Sequence, residues 1–188
     1  TYPTSAGAYD TSLGGSYDWY ATKFNLANDT LLWSTYIGGT YYEFGGKSAL
    51  RSDGQLVIAG TTYYPGSYGY PYVYYYGPTT SYYQPAVFRL SADGTSRVSA
   101  AFFGGSYSSY QYGIGVAVNP SNGDVYVTGQ TYNPQSYSWP WGGGGYLQSS
   151  GSGLADPFIS RLNADFSQYL NSTMVPADSY CDTCPIPF

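Results

Sequence analysis

The stretch Asp18 to Gly39 (DWYATKFNLANDTLLWSTYIGG) aligns without a gap on Gln84 to Gly105 (QPAVFRLSADGTSRVSAAFFGG), 66 positions later. Asp156 to Val175 (DPFISRLNADFSQYLNSTMV) aligns on both. An internal repeat constrains the fold more tightly than local propensity, because every copy must form the same supersecondary unit and cover its apolar face with a neighbour. Each copy reads as an alternating strand carrying one cation (Lys23, Arg89, Arg161), a turn of Asn, Asp, Ala and Gly type, and a second strand. That pattern predicts a β-hairpin. A second hairpin repeats between the copies: Lys47 to Thr62 (KSALRSDGQLVIAGTT) matches Gly115 to Thr131 (GVAVNPSNGDVYVTGQT). Its SDG and SNGD turns supply the left-handed positions that a tight reversal needs. Five hairpins are therefore predicted, at roughly 19–37, 47–62, 86–103, 113–130 and 157–174.

Composition agrees with an all-β chain. There are 26 Tyr and 25 Gly but only one Met, one Glu and two Lys, so strand and turn formers displace helix formers. The Gly38-Gly39 and Gly104-Gly105 pairs read as corners between hairpins, since no helix follows to make a phosphate cradle of them.

With these elements in order, the chain resembles a known family. The succession of a K/R-L-N-x-D-G hairpin ending in Gly-Gly, an A-V…G-D-V-Y-V-T-G-x-T hairpin, and Y-P-T-S-A-G-A-Y is similar to the beta-propeller repeat of bacterial and archaeal surface proteins. The resemblance implies one four-stranded blade per repeat and an extracellular array, and it carries no catalytic residues. It implies antiparallel hairpins in propeller-like blades, about two and a half of them, with no significant helix. A single β domain over 1–180 would hold two full repeats and one partial repeat, followed by a Cys/Pro tail at 181–188. The tyrosine-rich insertions at 63–83 and 132–146 are foreign to the family pattern.

The residue inventory narrows the function. Net charge is −5 and the six basic residues are scattered, so no cluster offers itself to a phosphate backbone and no nucleic-acid partner is expected. No apolar run reaches the length of a membrane span. Histidine is absent, which removes the usual base of a nucleophilic triad and the usual nitrogen ligand of a zinc site. Asp53, Asp93 and Asp124 lie in turn motifs that engage their carboxylates locally, and Glu43 reads as a lone loop residue. The expectation is a non-enzymatic protein with no cofactor and no metal. Low charge and abundant hydroxyls point to an extracellular or cell-surface setting, where Asn28 (NDT) and Asn171 (NST) are candidate glycosylation acceptors.

Tyrosine is the remaining clue. Tyr68, Tyr70, Tyr72, Tyr74 and Tyr76 recur at period two, which places five rings on one face of an extended segment, and Pro71 makes that segment an edge strand or a polyproline-like run. Together with Tyr2, Tyr9, Trp139 and Trp141 they are the candidate assembly contacts, because rings with a polar tip suit an interface that stays partly wet. The expected partners are copies of the same chain, forming a filament or surface layer. The fifth hairpin is left over from two blades, and the N-terminal YPTSAGAYD segment of a neighbour would complete it by strand addition. The alternative is an adhesin or carbohydrate-binding module with glycan partners, using Trp139 and Trp141 as its stacking platform.

Cys181 and Cys184 are the only cysteines, in YCDTCPIPF. Pro185 and Pro187 argue against the helix that would follow a thioredoxin-type pair. An oxidising exterior favours a disulfide, either local or to a neighbouring subunit. Reduction of fresh material should therefore add two hydrogens to the chain if the bridge is local, or split a linked species into single chains if it joins subunits; two thiols open to alkylation without reductant would exclude both pairings.

Overall fold

The computed structural model describes residues 2–63, 73–76, 83–104, 111–132, 139 and 155–175. They form an all-β structure of eleven strands among the described residues. The first hairpin is β1 (Trp19–Asn25) with β2 (Thr30–Ile37). The second is β3 (Glu43–Leu50) with β4 (Leu56–Tyr63). A short strand, β5 (Val73–Tyr76), precedes the third hairpin, β6 (Tyr83–Leu90) with β7 (Arg97–Phe103). The fourth is β8 (Gln111–Val118) with β9 (Val125–Tyr132), and the fifth is β10 (Ala155–Leu162) with β11 (Tyr169–Met174). All five predicted hairpins are present, each within a few residues of its expected bounds. Their turns use the chemistry read from the sequence: Gly54, Gly94 and Gly123 take positive φ of 80°, 70° and 78°.

The sheets differ from expectation in one respect. β3-β4-β6-β7 and β8-β9-β10-β11 are four-stranded antiparallel meanders, and β1-β2 stands as a two-stranded sheet. The hairpin left without a partner is thus the first, whereas the sequence reading left over the last. The reason is pairing across the tyrosine-rich insertion: β4 pairs with β6 over eight positions, Leu56 with Leu90 through Tyr63 with Tyr83. β5, within the insertion, adds to the outer edge of β7 in parallel, so the insertion does supply an edge strand.

The three sheets stack in layers. In the middle one, Val57, Ala59, Val87, Ala101 and Phe103 face a core shared with Val125, Val127, Phe158 and Leu162 of the third sheet. The alternate residues Ile58, Ala86, Phe88, Leu90 and Phe102 face Trp19, Ala21, Trp33 and Ile37 of the first. Over β4 and β6 both faces of the middle sheet are covered, which is why these strands are near-continuous apolar runs. Each fully buried ring, such as Phe88 or Phe158, contributes about 1.5–3 kcal/mol. Between the second and third sheets the backbones approach closely where Gly113 of β8 meets Gly60 of β4: a Cβ on Gly113 would run into the Gly60 carbonyl oxygen.

The repeated cation ties the layers together. Lys23 Nζ donates to the Ala92 carbonyl at 3.1 Å, and Arg89 Nη1 donates to the Ala164 carbonyl at 2.6 Å. Ala92 and Ala164 are equivalent turn positions, so each cation reaches into the turn of the next copy. Arg161, in the last copy, instead pairs with Asp124 through Nε at 2.9 Å. Asp124 therefore binds across to β10, while Asp53 and Asp93 accept from the local backbone at Gln55 and Thr95 as expected.

Replacing Arg89 by Met should keep the hairpins but lower stability by about 1 kcal/mol, because the half-buried Ala164 carbonyl loses its nearer charged donor and keeps only Arg51 Nη1 at 3.4 Å. Denaturant unfolding measures the loss; an unchanged midpoint would show that the tie contributes nothing.

Candidate functional site: an aromatic array over a buried carboxyl pair

The insertions leave and re-enter the sheets at one end, after Tyr63 and Tyr132 and before Tyr83 and Ala155. Strand registers bring a tyrosine to each of several strand ends there. Tyr63 and Tyr83 are register partners with rings 5.0 Å apart. Tyr83 stacks on Tyr112 of the third sheet at 5.8 Å, and Tyr112 meets Tyr132 edge-on at 6.2 Å. In the other direction Tyr63 meets Tyr41 and Tyr42, and Tyr42 lies parallel to Phe44, 10° between planes and 5.8 Å apart. Tyr17, joined to Tyr42 by a parallel bridge, contacts both Tyr42 and Phe44. Eight described rings thus run without a break across the end of all three sheets. Tyr17 at 61% exposure, Tyr41 and Phe44 open to solvent, and the remainder are half-buried. These separations are the ones aromatic pairs prefer.

Beneath the array sits a carboxyl pair. Glu43 opens β3 between Tyr42 and Phe44, and its side chain is 3% exposed. Thr62 Oγ1 donates to Glu43 Oε1 at 2.9 Å and the Gly39 N–H to Oε2 at 3.3 Å. Asp18 accepts the N–H groups of Gly14 and Gly15 and lies within hydrogen-bonding reach of Glu43. Gly38 is required here: a Cβ would lie 2.5 Å from Asp18 Cγ and 2.7 Å from Glu43 Oε2. Glu43 is accordingly neither alone nor in a loop, and Gly38 serves to admit two carboxyls. Burial, opposed by the Thr62 and Gly39 hydrogen bonds and reinforced by Asp18, pushes the Glu43 carboxyl up to about 7.

The sequence candidates are dispersed. Tyr2 stacks on Tyr20 at 4.0 Å and bonds Thr22 Oγ1 at 2.8 Å; Tyr9 donates its N–H to the Gly94 carbonyl and packs beside the first core. Both are held by their own chain. Tyr74 and Tyr76 do share one face, 6.5 Å apart, but it is turned to the core between the second and third sheets, and Tyr76 donates its hydroxyl to the Phe166 carbonyl. Trp139 is 4% exposed among Phe103 and Phe158, with Nε1–H bonded to Ser172 Oγ at 3.0 Å. It is a core residue and presents no face for sugar stacking, because the third sheet needs it to close its apolar side. Asn28 is exposed in its turn, and Asn171 is half-buried on β11 opposite Arg161. Tyr68, Tyr70, Tyr72, Trp141, Cys181 and Cys184 lie outside the described residues. The sequence reading missed Tyr17, Tyr41, Tyr42, Phe44, Tyr63, Tyr83, Tyr112 and Tyr132. Their signal was position, since tyrosines flank the ends of three hairpins. No group of three acidic, Cys or His residues suited to a metal occurs among the described residues. No protein-family model matches the chain, and a search of curated proteins returns no match.

Folding stability should fall as pH rises. Native Glu43 holds its proton up to about 7, whereas the unfolded carboxyl releases it near 4.5, so the native state binds the extra proton between those values. The loss is on the order of 3 kcal/mol across that window and levels off above it. Glu43→Gln should flatten this part of the profile in urea titrations at several pH values; an unaltered profile would exclude Glu43 as its source.

Proposed function

We propose that the protein is a non-enzymatic structural subunit of an extracellular or cell-surface assembly, built from copies of itself into a filament or layer. The observation that carries this reading is the continuous aromatic array at one end of the sheets. Solvent-exposed rings in such a contiguous patch mark association surfaces, and tyrosine suits them because each ring brings area with little rotamer entropy. Strand addition is the second element of the proposal. Residues 5 and 10 bond the outer edge of β2 at Ser34 and Tyr36, and β11 is the repeat-equivalent strand at the edge of the third sheet. Residues 2–10 of one copy, released from β2, have the form to occupy β11 of the next, and such a head-to-tail exchange propagates unless its rotation closes. The family resemblance of the repeats, the low charge and the sequons favour the extracellular setting.

A second reading, a surface adhesin that binds carbohydrate, is favoured by the exposed ring of Phe44 lying parallel to half-buried Tyr42. Tight binding to one sugar on a glycan array would place it first.

Replacing Tyr17, Tyr41 and Phe44 together by Ser should leave the β spectrum intact and weaken self-association at least about a hundredfold, each buried ring being worth about 1–3 kcal/mol. Sedimentation and electron microscopy of parent and variant provide the comparison. A parent that stays monomeric at high concentration, or a variant that assembles equally well, would defeat the proposal.

A further inference from the structure

The first sheet lacks what the other two have. In the second and third sheets an outer hairpin pairs with an inner one: β6 with β4, and β10 with β9. Among the described residues no strand lies beside the equivalent edge of β1. Its outward groups follow from the repeat. The Val175 N–H reaches the Pro157 carbonyl on the β11 side, so Phe158 faces β9. The Tyr63 N–H reaches Tyr42 on β3, so Gly60 faces β6 and its partner Ala86. Tyr20 stands where Ala86 and Phe158 stand, and the backbone N–H and C=O groups of Tyr20 and Thr22 therefore point away from β2, along the open edge.

Beside that edge lies a cleft of about 420 Å³, lined by residues 18–22 of the first sheet, Gly46, Lys47 and Ser48 of β3, and Leu56 and Ile58 of β4. Trp19 borders it, and its indole Nε1–H is buried with no acceptor among the described residues. A buried donor without a partner is costly. Gly46, Lys47 and Ser48 of β3, which line the cleft, are exposed.

We propose that the β1 edge and this cleft accept a β-hairpin of the β3–β4 and β8–β9 kind, carried by a polypeptide other than a folded copy of this chain. The fold contains its own template. β8–β9 rests on β3–β4 with Gly113 against Gly60 while β9 pairs with β10, and the vacant position asks for the same arrangement one layer earlier. The incoming strand must carry a small residue opposite Tyr20, as Gly60 stands opposite Ala86 and Gly129 opposite Phe158. A folded second copy does not qualify. Among the described residues each copy has three outer hairpins and two inner ones, and both inner ones are already paired. Edge-to-edge pairing of two β1 strands would drive the middle sheet of each copy into that of the other, because β4 and β3 extend past β1 beneath the open position.

The test uses the full chain and a synthetic peptide of residues 111–132, the chain's own β8–β9 sequence. The peptide should bind one to one, with a change in tryptophan fluorescence. Tyr20→Pro removes an outward N–H but none that faces β2, and should weaken binding at least about tenfold, whereas Tyr20→Ala should bind like the parent. A peptide with Gly129→Val should fail against every chain, which keeps the test informative if Tyr20→Pro unfolds. Absence of peptide binding to the parent, equal binding to Tyr20→Pro, or equal binding of the Gly129→Val peptide would each overturn the proposal.

Discussion

A β-sheet with apolar side chains on both faces has to be covered twice, and the rest of this molecule is arranged around that requirement. The middle sheet carries Val57, Val87 and Phe103 on one side and Ile58, Phe88 and Phe102 on the other. It cannot be exposed on either face without releasing several buried rings to water, each worth about 1.5–3 kcal/mol. The third sheet meets the requirement fully on one side. The first sheet meets it only where β1 and β2 extend, and the side of β3 and β4 beyond β1 remains open, with Leu50 65% exposed. The hairpins are thus not independent units. The first two outer hairpins are stable because the next layer's turn accepts their cation and the next layer's strands cover their apolar side, as in other repeat architectures in which neighbours supply most of the stabilisation.

The same geometry accounts for how the outer edges are treated. An unpaired strand edge is an aggregation hazard, and natural sheets cover it. Here β2 is covered at Ser34 by Ser5 and β7 at Ala100 by Val73 of β5, whereas Ser172 of β11 takes the Trp139 indole on its hydroxyl, within the core and not along its backbone edge. Ser34, Ala100 and Ser172 are equivalent positions of the repeat. The N-terminal segment and the first insertion therefore do one job, placing chain against the outer strand of the first and second sheets. What looked foreign to the repeat in the sequence is a repeated device whose sequence varies because backbone bonds, rather than particular side chains, make most of the contact.

Much of this was legible. Period-two alternation and glycine turn chemistry located all five hairpins, because both are local properties. The phase of the repeat was not local. Five hairpins pair as two and two with one over at either end, and only the register between 56–63 and 83–90, across an insertion, decides which end. Glu43 was misread for a similar reason. Its partner Asp18 is far along the chain, and the two meet through the parallel bridge between Tyr17 and Tyr42. Trp139 was read as a surface ring since its neighbours are Ser, Pro and Gly, and its burial depends on Phe103 and Phe158 from other strands.

The carboxyl pair and the aromatic array are linked by that same bridge. The Glu43 N–H donates to the Tyr17 carbonyl at 2.8 Å, and the Ser16 N–H to that of Tyr41 at 3.0 Å. Asp18 fixes the loop before β1 by taking the Gly14 and Gly15 N–H groups, and Glu43 fixes the chain after β2 by taking the Gly39 N–H. The two carboxyls therefore pin both segments that carry Tyr17, Tyr41 and Tyr42. Their packing side by side needs a proton between them at the pH where Glu43 is neutral, and it is opposed by repulsion once Glu43 ionises. The rings above inherit that dependence: their order is set by backbone segments whose anchor is strongest below neutral pH.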